Sequence, residues 1–198
     1  MTKQKYRIVT DEELAFVLYR GELSRYHLEE GQELPEAVFR RIQEEILIKR
    51  AKLRAMHLLN RMDYTEAQLK KKLEQGEYTK EAVEIAMAYV RSFHYLDDER
   101  YAARYLANHA GKKSRRQMEF ELEQKGISKE IIAGCRTQAE SSGMDETELI
   151  RSLLEKRCRD PRMADEKEKR RHYGYLMRKG FCSSDIRKVF DDFFERFS

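Results

Sequence analysis

The acidic cluster Asp97-Asp98-Glu99 has a composition that could bind a metal ion. Carboxylate oxygens are the usual ligands of hard divalent cations. The cluster stands directly before a predicted helix that begins near Arg100, however, and carboxylates at that position cap the helix and interact favourably with its dipole. We therefore interpret these three residues as helix-capping residues.

The other side chains with catalytic or metal-binding chemistry are scattered along the chain. They are His27, His57, His94, His109, His172, Cys135, Cys158 and Cys182. The cysteines are odd in number and have no CxxC spacing, and a free cysteine is most often a small apolar core residue. Phosphate loops, GxGxxG, GxSxG and HExxH motifs are also missing from the sequence. We expect no catalytic residue, no metal site and no cofactor, and hence a binding protein and not an enzyme.

Three clusters of basic residues remain as candidates for partner or DNA binding. They are Lys70, Lys71 and Lys72; then Lys112, Lys113, Arg115 and Arg116; and finally Lys169, Arg170, Arg171, Arg178 and Lys179. Such clusters suit phosphates or an acidic protein groove. A charge run can also simply solvate a helix, and that alternative stays open for any single lysine. Recurrence in three corresponding helices favours a binding function.

The charge distribution agrees with a polyanionic partner or an acidic groove. The net charge is only +4, which is compatible with any solvated helical surface. Residues 1–48 carry 7 Lys/Arg against 10 Asp/Glu, whereas residues 49–72 carry 8 against 2 and residues 151–188 carry 13 against 6. The sequence has no apparent signal peptide or long apolar span, so we expect a cytoplasmic protein with free thiols and no membrane contact.

Three similar joints indicate a helical repeat. Each has a leucine, a short run rich in charge and glycine, an apolar anchor and a polar residue that can cap the next helix. They lie at residues 73–81, 122–130 and 176–184. A glycine in the left-handed conformation ends the first helix, and the anchor packs under the turn. In the first joint Gly76 stands one position early and Glu77 takes its place, which predicts a looser joint.

The spacing of the joints predicts the helices around them. Leading helices are expected at residues 51–60, 99–110 and 146–157, and capping boxes at Thr65-Glu-Ala-Gln68 and Ser114-Arg-Arg-Gln117. The third copy has Glu168 at the corresponding cap position, so its helix is expected to begin near Asp165. Residues 159–162 are expected to form a longer loop.

The predicted fold is mainly α: three tandem three-helix repeats in an elongated, curved array, with a small N-terminal β element. The expected boundaries are residues 1–48, 49–95, 96–143 and 144–198. Within the first segment, residues 6–9 and 15–19 are β-prone, and Arg20-Gly21-Glu22 offers a tight turn into residues 23–26. Pro35 is placed to start a helix that runs through Ile46.

The chain resembles the RecX family of bacterial regulatory proteins over roughly residues 50–190. The residues that carry the resemblance are Tyr95-Leu96-Asp97-Asp98-Glu99-Arg100-Tyr101-Ala102, Ser114-Arg115-Arg116-Gln117, Glu121-Leu122-Glu123-Gln124-Lys125-Gly126-Ile127 and Tyr175-Leu176-Met177-Arg178-Lys179-Gly180-Phe181. Their order and spacing are more specific than any one motif. The segment from Tyr19 to Leu34 is similar to an extension that some members carry.

The resemblance implies a modulator, mostly an inhibitor, of the RecA recombinase. Its partner would be the RecA-DNA filament, and it would dampen recombinase and co-protease activity in DNA repair, recombination and the SOS response. We expect a monomer that also binds DNA weakly and without sequence preference. The main alternative is a direct DNA-binding helix-turn-helix protein; against a sequence-specific reader, the basic residues suit phosphates and not base edges. A passive scaffold would leave the basic clusters unexplained.

Overall fold

The computed structural model describes residues 4–10, 15–141, 146–158 and 160–195, and they form a mainly helical protein with one small antiparallel sheet. The chain divides into two compact units, residues 1–97 and 98–198. No helix in the described part of the chain is long and apolar enough to cross a membrane.

The first unit begins with the predicted β element. Strand β1 (Lys5–Val9) pairs antiparallel with β2 (Ala15–Tyr19), with Tyr6 opposite Leu18 and Ile8 opposite Phe16. Phe16 and Leu18 are fully buried because alternate residues of a strand face the same side. The tight turn predicted at residues 20–22 is wrong: residues 20–26 form helix α1 (Arg20–Tyr26). The Glu22 carboxylate accepts the Tyr19 amide, which stabilises the first turn of this helix.

A continuous helical run follows Pro35, as predicted, but it extends further than expected. It consists of α2 (Glu36–Ile42), a π turn (Gln43–Leu47) and α3 (Ile48–Leu59). The buried Gln43 in the π turn accepts a hydrogen bond from the Thr79 hydroxyl at 2.8 Å. The extra residue of the π turn therefore ties this helix to the start of another, which Thr79 caps.

In the part of the chain that the structure describes, nine helices make up the three repeats. The first contains α3, α4 (Glu66–Glu74) and α5 (Lys80–Ser92); the second contains α6 (Asp98–His109), α7 (Arg115–Gln124) and α8 (Lys129–Ser141); the third contains α9 (Glu146–Arg157), α10 (Glu166–Arg178) and α11 (Ser183–Glu195). Helix α10 is capped by Asp165 through the Glu168 amide, as predicted. Within the predicted 159–162 loop, Pro161 begins a short 3-10 helix (Pro161–Met163), and residue 159 lies outside the described residues.

The joints have the predicted backbone geometry. Gly126 and Gly180 have φ values of +83° and +90°, and the amide after each glycine donates to a carbonyl five residues back. This is the Schellman arrangement. In the first joint Glu77 holds the left-handed conformation, with φ +55°.

Separate apolar cores stabilise the units. One core joins the N-terminal element to the first repeat and includes Phe16, Leu47, Leu69 and Met87. The second and third repeats each have a core of their own, centred on Leu122 in one and on Leu176 in the other. Each repeat therefore buries its apolar residues mainly within itself, as expected for a modular protein.

Candidate partner-binding surface

In the first repeat, the basic cluster is partly used in an internal ion pair. Lys70 on α4 lies 2.6 Å from the Glu84 carboxylate on α5. Lys71 and Lys72 are exposed. An exposed ion pair contributes little to stability, but it does hold the Lys70 ammonium beside a negative charge. Only Lys71 and Lys72 of this cluster are therefore well placed for a partner.

The second cluster separates into structural and exposed cations. Lys113 lies 2.5 Å from Glu121 Oε2 and donates to the Tyr105 hydroxyl. The Tyr105 hydroxyl in turn donates to Glu121 Oε2. The bonds from Lys113 and Tyr105, with a further one from Gln117, lower the pKa of Glu121 to about 2, and the bonds to Glu121 and Tyr105 raise the pKa of Lys113. Lys113 therefore stabilises its own repeat and is not a free surface charge. Lys112 and Arg116 are exposed.

The third cluster lies on α10. Lys169 lies 3.2 Å from Glu166, and its ammonium stands over the Phe194 ring. Arg170, Arg171 and Arg178 are exposed, and Lys179 stands 5.8 Å from the centroid of the Tyr175 ring. This cluster therefore keeps most of its charge on the surface.

The structure brings the second cluster together with the end of the third. The buried Ser114 hydroxyl donates to the Lys179 carbonyl at 2.5 Å, and it also accepts the Gln117 amide as the N-cap of α7. The predicted capping box is thus only half made, because the Gln117 side chain donates to Glu121 instead. The Ser114 hydroxyl links the repeats in its place.

Gly180 makes this contact possible. A Cβ atom at Gly180 would lie 2.7 Å from Ser114 Oγ and 3.5 Å from Arg116 Cβ. A side chain there would collide with the serine, so the glycine is required by close approach as well as by its positive φ. The joint of the third repeat therefore packs directly on the first turn of α7.

Glu146 forms a second link between the two repeats, and it was not among the residues predicted from sequence. Its carboxylate, at the start of α9, accepts the backbone amide of Arg115. A carboxylate at the first turn of α7 satisfies an otherwise unpaired N–H and interacts favourably with the helix dipole. Burial raises the pKa of Glu146. Sequence offers no signal for this contact because the two residues are 31 positions apart.

We name the resulting surface the junction patch. It consists of the cations that lie within two residues of the Ser114–Lys179 bond and outside the Lys113 network: Lys112, Arg115, Arg116, Arg178 and Lys179. The second unit also carries the protein's excess charge, with 23 Lys/Arg against 19 Asp/Glu, whereas residues 1–97 carry 17 of each.

An exposed aromatic residue adjoins the junction patch. Phe120 is 59% exposed and lies four positions after Arg116, on the same face of α7. Arginine and aromatic side chains provide much of the binding energy at protein interfaces. Phe120 is not among the binding residues predicted from sequence, although it lies on the helix face opposite the buried Met118 and Leu122, and that position is a usable signal.

Comparison with known families supports the repeat assignment. Residues 51–96, 97–134 and 145–190 match the first, second and third three-helix domains of RecX, respectively. The chain is 36% identical to the regulatory protein RecX of Trichlorobacter lovleyi over 143 residues, covering 70% of this chain and 92% of that protein. It is 30% identical to the RecX of Caldanaerobacter subterraneus over 186 residues, covering 93% and 91%.

Solved structures are similar as well. A crystal structure of a regulatory protein RecX matches with a TM-score of 0.67 and 27% identity, covering 96% of this chain and 94% of that one. RecX from Lactobacillus salivarius matches in fold, with a TM-score of 0.62 over 73% of this chain and 95% of that one, at 16% identity.

Proposed function

Because the chain belongs to the RecX family of regulatory proteins, we propose that it binds the RecA-DNA filament and restrains recombinase and co-protease activity. The family resemblance supplies the partner, and the junction patch is the observation that carries the proposal. In this role the protein acts in the cytoplasm, as a modulator of DNA repair and recombination that performs no chemistry itself.

The composition of the junction patch suits a polyanionic filament. Arg116 and Arg178 are exposed, and Phe120 adds apolar area on the same helix as Arg116. The Ser114 and Glu146 contacts fix the backbone that carries these groups, so little loop entropy is lost when they bind. A filament presents the same groove repeatedly, and a chain of three repeats gains avidity when it contacts several protomers at once.

The deciding experiment adds the protein to preformed RecA filaments while ATP hydrolysis and strand exchange are followed. We expect inhibition at well below one molecule per RecA protomer. If this amount of protein inhibits neither ATP hydrolysis nor strand exchange, the proposal is wrong.

A matched pair of variants tests whether the junction patch is the surface that binds the filament. Arg116→Glu with Arg178→Glu should weaken inhibition at least about tenfold, because like charges then face the partner. The control, Lys129→Glu with Lys188→Glu, makes the same charge change at exposed sites on α8 and α11 and should inhibit normally. Circular dichroism checks that helicity is retained. Equal inhibition by both variants would show that the junction patch is not the surface that binds the filament.

Direct DNA binding is the second candidate, and the exposed arginines of the junction patch favour a weak form of it that contacts phosphates without reading sequence. Binding to labelled DNA of two unrelated sequences, without RecA, separates the candidates. Equal and salt-sensitive binding to both sequences, together with normal action on filaments, would fit a supporting role for DNA. Strong preference for one sequence would favour a sequence-specific regulator.

A further inference from the structure

The third repeat contains a cluster of three metal-binding side chains that the proposed function does not use. Cys158 Sγ, a Glu168 carboxylate oxygen and a His172 ring nitrogen all lie within 4.8 Å of one another. Cys158 and His172 are each only 4% exposed. The sequence predicts no metal ligands here, because the three residues follow no familiar spacing.

Two elements of the third repeat bring these side chains together. Cys158 directly follows α9, and its amide donates to the Leu154 carbonyl at 2.7 Å, which fixes its position at the helix end. Glu168 and His172 are four residues apart on α10, so they share one face of that helix. The cluster therefore joins the end of α9 to the first half of α10.

His172 has no hydrogen-bond partner for either ring nitrogen within the described part of the chain. Its Nε2 is 3.6 Å from Glu168 Oε1, beyond normal hydrogen-bond length. A buried polar group without a partner is costly and uncommon in folded proteins. An imidazole in this state, beside a thiol and a carboxylate, is suited to coordinate a cation.

We infer that Cys158, Glu168 and His172 form a binding site for a borderline divalent transition metal, with Zn²⁺ as the best match. Zinc takes sulfur, nitrogen and oxygen ligands at about 2.0–2.3 Å, which places tetrahedral ligands roughly 3.3–3.8 Å apart. The Nε2–Oε1 distance of 3.6 Å already lies in this range. The cysteine binds as a thiolate and releases its proton to solvent.

The donor set also selects the class of metal. Ca²⁺ and Mg²⁺ prefer oxygen ligands throughout, so a buried thiol and imidazole exclude them. The Glu168 side chain is 44% exposed, which leaves solvent access for a water molecule as the fourth ligand. Three protein ligands and one water is a common arrangement for zinc.

Cobalt titration of the metal-free, full-length chain tests the site. Co²⁺ in a tetrahedral site with a thiolate ligand gives visible ligand-field bands and a near-ultraviolet sulfur-to-metal charge-transfer band. We expect both to saturate at one equivalent per chain and to disappear on addition of Zn²⁺. A spectrum of free aqueous cobalt throughout would overturn the inference.

Matched variants assign the ligands. Cys158→Ser should abolish the charge-transfer band, and His172→Gln should weaken affinity by more than the roughly 10–100-fold that loss of an outer-shell contact causes. The control Cys182→Ser changes an exposed cysteine outside the cluster and should titrate like the wild type. A band that survives Cys158→Ser, or is lost in Cys182→Ser, would place the metal elsewhere.

The substitutions at the buried Cys158 and His172 can also destabilise the fold, so thermal unfolding provides a second test of the site. Zn²⁺ should raise the unfolding midpoint of the wild type because only the folded state brings the three ligands together, so zinc binds it more tightly than the unfolded chain. Glu168→Gln, a change at the exposed edge of the cluster, should reduce that rise. An equal rise in the wild type and Glu168→Gln would count against the site. These measurements contain no RecA, so their outcome is independent of the proposed function.

Discussion

At the scale of single residues, Glu77 is the most informative position in the three joints. Its φ is +55°, and the equivalent positions in the other two joints are occupied by Gly126 and Gly180. The left-handed conformation costs an L-residue roughly 1–2 kcal/mol. Glu77→Gly should therefore raise the free energy of unfolding by about 1 kcal/mol, measured by chemical denaturation. Arg7→Ala controls for the exposed Arg7–Glu77 ion pair, which should contribute little. A less stable Glu77→Gly chain would contradict this account.

The neighbouring Gly76 shows what the sequence pattern could not predict. Its position suggested only a glycine out of register. In the structure, a Cβ atom at Gly76 would lie 2.5 Å from Tyr78 Cε2 and 3.0 Å from the Leu73 carbonyl oxygen. The glycine therefore makes room for the aromatic anchor, while Glu77 supplies the left-handed residue. The repeat pattern predicts the turn itself, but not how two adjacent residues divide its requirements.

Glu121 gives the protein a defined dependence on acid. Contacts with Lys113 and Tyr105 hold the pKa of Glu121 at about 2 in the folded protein, against an ordinary value of 4.5. Their contribution is complete above pH 4.5 and is lost as the pH falls toward 2, because the unfolded chain takes up the proton first.

Glu121→Gln should consequently destabilise the chain at pH 7 by about 1 kcal/mol, a value discounted for the 29% exposure of the carboxylate. The difference from wild type should shrink steadily below pH 4.5 in denaturation curves. Glu123→Gln, an exposed change on the same helix, is the matched control. A difference that is constant with pH would show that the ion pair is not responsible.

At the scale of elements, Arg50 fastens the N-terminal element to the first repeat. From α3 its guanidinium donates to the Val17 carbonyl at 2.8 Å and to both Glu22 oxygens, at 2.5 and 2.7 Å. It also stands over the Tyr19 ring. Glu22 in turn caps α1. This network explains why residues 20–26 are helical although Gly21 suggested a turn, and local sequence could not show it because Arg50 is 28 residues away.

Replacing Arg50 should loosen this element specifically. Arg50→Lys keeps the charge but cannot bridge the Val17 carbonyl and the Glu22 carboxylate with two separate nitrogens, as Nη1 and Nη2 do, so we expect a loss of about 2 kcal/mol in unfolding free energy. Hydrogen exchange should accelerate in β2 and α1 and stay unchanged in α9 to α11. Arg54→Lys, an exposed change one turn later on α3, should alter neither quantity. Uniform acceleration across the chain would contradict a local role for Arg50.

At the scale of the whole molecule, the sequence predicts the repeated helices well because their signals are local. Thr65 and Asp165 each cap a helix that begins at the next residue. Gly126 and Gly180 each end the helix that comes just before them. The junction patch is different, since Ser114 and Lys179 are 65 positions apart. Sequence therefore identified the basic residues but not which of them meet.

The salt dependence of the proposed filament binding would measure how the whole molecule uses this charge. Each phosphate neutralised by a cation contributes roughly 0.7–0.9 to the slope of log affinity against log salt concentration. Removing two patch cations, Arg116→Ala with Arg178→Ala, should therefore reduce the slope by about 1.5 as well as the affinity. Lys129→Ala with Lys188→Ala should leave both near wild type, because these exposed lysines lie outside the junction patch. Equal slopes for all three proteins would show that these two arginines neutralise no phosphate, and a lower affinity at an unchanged slope would indicate that they bind through uncharged contacts.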